Sequence, residues 1–196
     1  MTIAMDFSSR CFNVLERALL LVVCMLTFAM SASDANESVM VQSAELKLAG
    51  DSWILNADFN LHLNRTQEEA LKKGVTLHFV TDFELERVRS WWLNETLTEA
   101  NRIGRLNYSP LTRRFQVETL EGYKAYDTLH EALAGLGHVE GWAVAPKKML
   151  KPGERYLAAI RMRLDLGLLS KPLQINALAT GKWEVEGDWH EWEVAP

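Results

Sequence analysis

Apolar and polar residues alternate along much of this chain with a period of two. Trp53, Leu55, Ala57, Phe59, Leu61 and Leu63 recur at every second position, with Asn56, Asp58, Asn60 and His62 between them. Successive side chains of a strand point to opposite faces, so this row predicts a strand with one face on a core. Val75, Leu77, Phe79, Thr81, Phe83 and Leu85 repeat the pattern, with His78, Asp82, Glu84 and Glu86 opposite. Further strands are predicted over 39–48, 98–108, 113–119, 123–126, 139–145 and 155–165, with Ser109-Pro-Leu-Thr112 as a turn. A last strand is expected over 173–179. Pro172 would set its start, Leu173, Ile175 and Ala177 would alternate inward, and Asn176 would face outward. Residues 183–192 add one more strand or a packed tail. Residues 87–96, which carry Trp91 and Trp92, break the alternation and read as a bulge or crossing loop.

Two short helices interrupt the strands. Thr66-Gln-Glu-Glu69 has capping-box spacing and Gly74 is placed to stop the helix it starts, over 67–73. Residues 128–136 have apolar spacing of three and four and are closed by Gly137. Leu150-Lys-Pro-Gly-Glu-Arg-Tyr156, followed by Ala158, Ile160 and Met162 in alternation, resembles the tyrosine corner of fibronectin type III and immunoglobulin-like domains. In that device Leu150 and Pro152 would pack beneath the crossover, and Tyr156 would hydrogen-bond back to the loop main chain. An ordinary Pro-Gly turn before a strand reads the same residues differently. No internal repeat or linker divides the chain. The expected fold is mainly β: an immunoglobulin/fibronectin type III-like antiparallel β-sandwich with two short helical insertions.

Residues 18–30 form one apolar run, preceded by Arg10 and Arg17 and followed by small residues. The run falls short of the roughly 18 residues a spanning helix wants and suits the hydrophobic part of a signal peptide. Residues 1–33 are therefore expected to be a signal peptide, cut at Ala29-Met-Ser31 or Ser31-Ala-Ser33, or else an uncleaved N-terminal membrane anchor. Residues 34–196 would then be a single domain in the periplasm, or anchored to the inner membrane and facing it. Cys11 and Cys24 both lie in the leader, which leaves the domain without a thiol to pair. Val23 is too bulky for the position before a lipidated Cys24. The net charge of −5 is unchanged when the leader goes, because Asp6 and Glu16 leave with the two arginines. An acidic domain is not drawn to phosphate backbones, so nucleic acid is not an expected partner.

No chemistry announces itself. His62 and His78 lie on the polar rows of two successive predicted strands, near Asp58 and Asp82, and would form a metal site only if those strands were neighbours. A solvated sheet face accounts for them equally, and no metal or cofactor is expected. Asp82, Glu84 and Glu86 line one strand face, whereas glycosidase carboxylates oppose each other across a cleft. No nucleophile elbow, phosphate loop or dinucleotide fingerprint is found. The unusual feature is seven tryptophans. Trp53 and Trp142 fit core positions. Trp91, Trp92, Trp183, Trp189 and Trp192 form a possible interaction surface, since exposed rings among polar groups mark binding sites. The other reading is that they close the end of the domain.

Phe79-Val-Thr-Asp-Phe-Glu-Leu, Leu106-Asn-Tyr-Ser-Pro-Leu-Thr-Arg-Arg-Phe, Leu129-His-Glu-Ala-Leu, the Leu150–Tyr156 block, Arg161-Met-Arg-Leu-Asp and Lys171-Pro-Leu-Gln-Ile-Asn-Ala-Leu follow one another in order. Together, from about Val39 to Trp192, they resemble the bacterial family catalogued as domain of unknown function 4390. The resemblance implies a small proteobacterial protein with an export or anchor segment, and it carries over no catalytic residue. Members are often encoded beside a membrane histidine kinase of the nitrogen-regulation type and a ribosomal RNA methyltransferase, which implies an envelope partner for the kinase's sensor region. The function expected is noncatalytic protein binding in the envelope, with modulation of that kinase as the implied role. A cell-wall glycan-binding or glycan-hydrolysing protein is the alternative.

Overall fold

The alternating rows fold as strands because each buries one side of its pleat and leaves the other to polar residues. The computed structural model describes residues 38–91 and 93–196, and the leader, its cleavage and Trp92 lie outside the described residues. A three-stranded sheet, in the order β1-β2-β7, is built from β1 (Val39–Ala49), β2 (Ser52–Leu61) and β7 (His138–Pro146). A six-stranded sheet contains β3 (Leu77–Arg87), β4 (Glu95–Ser109), β5 (Arg114–Thr119), β6 (Gly122–Tyr126), β8 (Tyr156–Leu164) and β9 (His190–Val194), in the order β6-β5-β4-β3-β8-β9. Every pairing is antiparallel. The fold is mainly β, with two antiparallel sheets.

Both sheets contribute to one hydrophobic core. Trp53, Leu55, Ala57, Phe59 and Leu61 enter it from β2, Phe79, Phe83 and Leu85 from β3, and Tyr156, Ala158, Ile160, Met162 and Leu164 from β8. Fully burying a side chain such as Leu55, Phe83 or Ile160 stabilises by roughly 1.5–3 kcal/mol each. Slipping a strand by one residue would turn its whole row to water, so the register is tightly held.

The helices differ from expectation in two ways. The first, α1 (Arg65–Lys72), starts two residues earlier than the Thr66 spacing implied. Asn64 caps it, accepting from Gln67 N at 3.1 Å while the Gln67 side chain accepts from Asn64 N at 2.9 Å. The buried Gln67 also donates to Lys182 O at 3.1 Å, which ties this cap to the distant tail. The second helix, α2 (Leu129–Gly137), has the expected Thr128–Glu131 capping box and covers β2 and β5.

The expected strand over 173–179 is instead a third helix, α3 (Lys171–Thr180). Pro172 lies in its first turn, where a missing N–H costs nothing, and Gly181 at φ 63° ends it in the left-handed conformation. Leu173 and Ala177, four apart, face the core, while Ile175 is exposed. Leu-Gln-Ile-Asn-Ala fits both periods over so short a span, and the terminal proline and glycine decide for the helix.

Gly137 closes α2 where a Cβ would stand 2.4 Å from the Phe59 carbonyl oxygen. Gly137→Ala is expected to destabilise the domain by about 1–3 kcal/mol, since a main-chain atom cannot swing aside. Chemical denaturation should show this loss. Unchanged stability would mean that α2 does not pack against β2 this closely.

Candidate functional site

The chain leaves the three-stranded sheet after β7 and enters β8 through residues 147–155. At the start of β8, Tyr156 is fully buried. Its hydroxyl accepts from Lys151 N at 2.8 Å and donates to Glu154 Oε2 at 2.9 Å. Burial pushes the phenol's pKa up, which keeps it a donor. Leu150 is buried as expected of a tyrosine corner, but Pro152 is exposed on the loop and does not pack beneath the crossover. Residues 151–154 form a Pro-Gly turn, with Glu154 N bonded to Lys151 O at 3.3 Å and Gly153 at φ 84°, and the Tyr156 hydroxyl bonds back to the first residue of that turn.

From Glu154 the contacts run on into the loop between β3 and β4. Arg87 reaches Glu154 at 3.3 Å and also pairs with Glu95, which in turn pairs with Arg89. Asn94 donates to Glu86 at 3.0 Å, and Val88 N to Arg155 O at 3.0 Å. Both bases of residues 88–94 are thus held, while Trp91 and Leu93 stand 97% and 82% exposed between them. At the same end of the sheets lies an apolar cleft of about 700 Å³. It is lined by Leu48, Trp53, Pro146, Leu150, Pro152 and Pro196, with Lys147 and Lys148 at its rim. Trp53 donates to Lys147 O at 3.4 Å and Lys147 N to Asp51 O at 2.8 Å, fixing the cleft wall to the β1–β2 turn. Among the described residues neither lysine side chain has an ion-pair partner.

A second concavity, polar and about 330 Å³, lies on the outer face of the six-stranded sheet between Asp82, Glu84, Glu99, Arg161, Arg163 and Trp189. Asp82 accepts from Arg163 Nε at 2.9 Å and Arg161 Nε at 3.3 Å, and Arg161 also pairs with Glu186 at 2.7 Å. The Arg161 guanidinium lies over the Trp189 ring, 4.5 Å from its centroid. Asp82, Glu84 and Glu86 therefore do not line a merely solvated face: Asp82 is held between two arginines.

The tryptophans separate. Trp91 is exposed, as an interaction surface requires. Trp183 is 1% exposed and belongs to the core, so it is no part of any surface. It faces inward because residues 183–187 run beside β8, with Leu164 N bonded to Val185 O and Gly187 N to Met162 O, so Trp183 and Val185 alternate inward. Trp189 and Trp192 are half-buried, the first beneath Arg161 and the second against the core. The four described rings of the expected surface, Trp91, Trp183, Trp189 and Trp192, therefore do not form one exposed patch.

β2 and β3 belong to different sheets, so His62 and His78 are not cross-strand neighbours. Asp58 is taken by His138 Nδ1 at 2.7 Å and by Ser43 Oγ at 3.0 Å. That order puts the carboxylate between hydroxyl and imidazole, whereas activating a serine needs the imidazole in the middle. Among the described residues no three His, Cys, Asp or Glu side chains are grouped to hold a metal ion. Lys147, Lys148, Leu93 and the Arg87–Glu95–Glu154 contacts escaped sequence reading. The only signals for them were the Pro-Lys-Lys run after a predicted strand and the broken alternation over 87–96.

A family model described as Domain of unknown function (DUF4390) matches residues 36–193. No curated protein and no solved structure matches the chain.

Glu84 in the polar groove is held above the ordinary carboxylate value of 4.5, first by burial and then by Glu99 and Glu86. A raised value in the folded state favours folding below 4.5 and loses that contribution as pH rises through it. Glu84→Gln is therefore expected to raise the melting temperature near pH 7 and to leave it unchanged near pH 3. Thermal melts at both pH values check this, and an equal effect at the two would contradict it.

Proposed function

The chain belongs to the family of the domain of unknown function DUF4390, and we propose that it is an exported, noncatalytic protein-binding module of the bacterial envelope. The observation that carries this reading is the pair Trp91 and Leu93, exposed on a loop tied through Arg87 and Glu154 to the residues before β8, where Leu150, Pro152, Lys147 and Lys148 line an apolar cleft. Large exposed aromatic side chains on a held loop lose little freedom on binding, and such rings dominate protein interfaces. The sensor region of an envelope histidine kinase is the first partner to test.

The fold supports the same reading. The order β1-β2-β7 in one sheet and β4-β3-β8-β9 in the other, with a tyrosine at the start of β8, supports reading the domain as an immunoglobulin-like or fibronectin type III-like sandwich to which β5, β6 and α2 are additions. Such domains serve widely as binding modules, an analogy of fold alone. With the leader retained the domain would be held at the inner membrane; with it cut, it would be free in the periplasm.

The polar groove does not favour the glycan alternative. A sugar platform needs a free indole face and a glycosidase needs two carboxyls opposed across a cleft. Arg161 lies on the Trp189 ring, Asp82 is held by Arg161 and Arg163, and Glu84 and Glu99 are side-by-side partners on adjacent strands of one sheet.

In cells, a photo-crosslinking residue at Leu93 of the full chain is expected to join one envelope protein. Trp91→Ala should cut that product by about tenfold, the scale of an aromatic anchor, at unchanged melting temperature. Trp183→Ala should instead unfold the domain at a cost of about 3–5 kcal/mol. A product insensitive to Trp91→Ala, or none at all, would contradict the reading.

A further inference from the structure

β4 outruns the strand on one of its flanks. β3 pairs with it from Glu95 to Leu106, whereas β5 pairs with it only from Arg105 to Ser109. β5 then turns back into β6, with Thr119 opposite Gly122. The flank of β4 that faces away from β3 therefore has no strand beside it before Arg105. A register shift leaves Leu97 as an extra residue opposite Leu85 and Glu86. Beyond that bulge, residues 98–103 run regularly, and no described residue bonds to their main chain from the open flank.

Two features at the end of this flank point to an occupant. Where β5 stops, a notch of about 360 Å³ opens among Asn101, Arg102, Ile103, Thr119 and Leu120. Arg102 points inward there and is 4% exposed. Its Nη2 holds Glu121 at 2.8 Å and its guanidinium lies 5.9 Å from the Trp142 ring centroid, but its Nη1 is buried with no hydrogen-bond partner. A buried, unpartnered donor on a cation is costly, and a second carboxylate would relieve it.

The other free edges are blunted. β1 is bulged between Val41 and Ser43, β7 shifts register twice along β2, β6 is five residues long and carries Lys124, and β9 carries Glu191 and Glu193. Residues 98–103 are regular and contain neither proline nor lysine; their charges are the single carboxylate Glu99 and the inward Arg102.

We propose that this flank of β4 takes up an extended segment of a partner protein as an added strand, in line with β5, and that the segment bears an inward-facing carboxylate for Arg102. Main-chain hydrogen bonds to the flank would supply affinity, and the carboxylate selectivity. The proposal rests on the protein-binding reading and says where the partner's main chain lies.

The probe is the synthetic peptide Thr-Val-Thr-Glu-Thr-Val-Thr, symmetric so that either direction presents its glutamate on the valine face, together with its glutamine twin. Added to the intact domain, the glutamate peptide is expected to slow amide hydrogen exchange within residues 98–103. The twin should bind about tenfold more weakly, the scale of one charge-assisted hydrogen bond. Trp91→Ala should leave the peptide's affinity unchanged, so a failure here is separable from a failure of the Trp91 reading. No protection of 98–103, equal affinity of the two peptides, or protection confined to the cleft around Trp53 would overturn the proposal.

Discussion

Between β7 and β8 the main chain passes from one sheet to the other through a largely exposed loop, and one buried side chain anchors that loop from beneath. The Tyr156 hydroxyl accepts a hydrogen bond from Lys151 N–H and donates one to Glu154, and no apolar side chain of the same size can do either. Because Tyr156 also begins β8, directly opposite Arg87 of β3, the same residue sets the register of the central strands and the path of the loop that walls the cleft.

The consequence reaches the functional end through charge. Glu154 is drawn below the usual carboxylate range, first by the Tyr156 hydroxyl and also by Arg87. Glu95 is drawn down in turn by Arg87 and Arg89. Each such pair is partly exposed, and alone would contribute little to stability. Their value is positional: they tie the loop that presents the exposed Trp91 to the start of β4 and to the loop before β8. On the other flank of the same sheet, Arg161 does a comparable task, holding the tail 186–189 through Glu186 and Trp189 while its Asp82 contact ties β8 to β3.

Sequence reading reached the strands because burial on one face leaves a period of two that only a strand satisfies over ten residues, as in β2 and β3. It also reached Tyr156, because the spacing from Leu150 is local. It missed α3, where five alternating residues fit either period and the deciding glycine comes after them. It placed the cap of α1 at Thr66, because Asn64 and Gln67 have the same three-residue spacing as Thr66 and Glu69. Trp183 was offered as a surface residue because its acidic neighbours hide an inward alternation that only pairing with β8 makes visible. The cleft was beyond reach altogether. Its walls come from the β1–β2 turn, the end of β7, the loop before β8 and the C-terminus, and no local pattern joins segments so far apart in the chain.

Tyr156→Phe, followed by hydrogen exchange and chemical denaturation, tests the dependence of this end of the domain on one hydroxyl. The phenyl ring preserves the packing and removes both hydrogen bonds, so about 1–3 kcal/mol of stability should be lost. Exchange should quicken in residues 147–155 and 88–94 together, since Glu154 links the two loops. Stability unchanged to within about 0.5 kcal/mol, or quickening confined to one of the loops, would contradict the account.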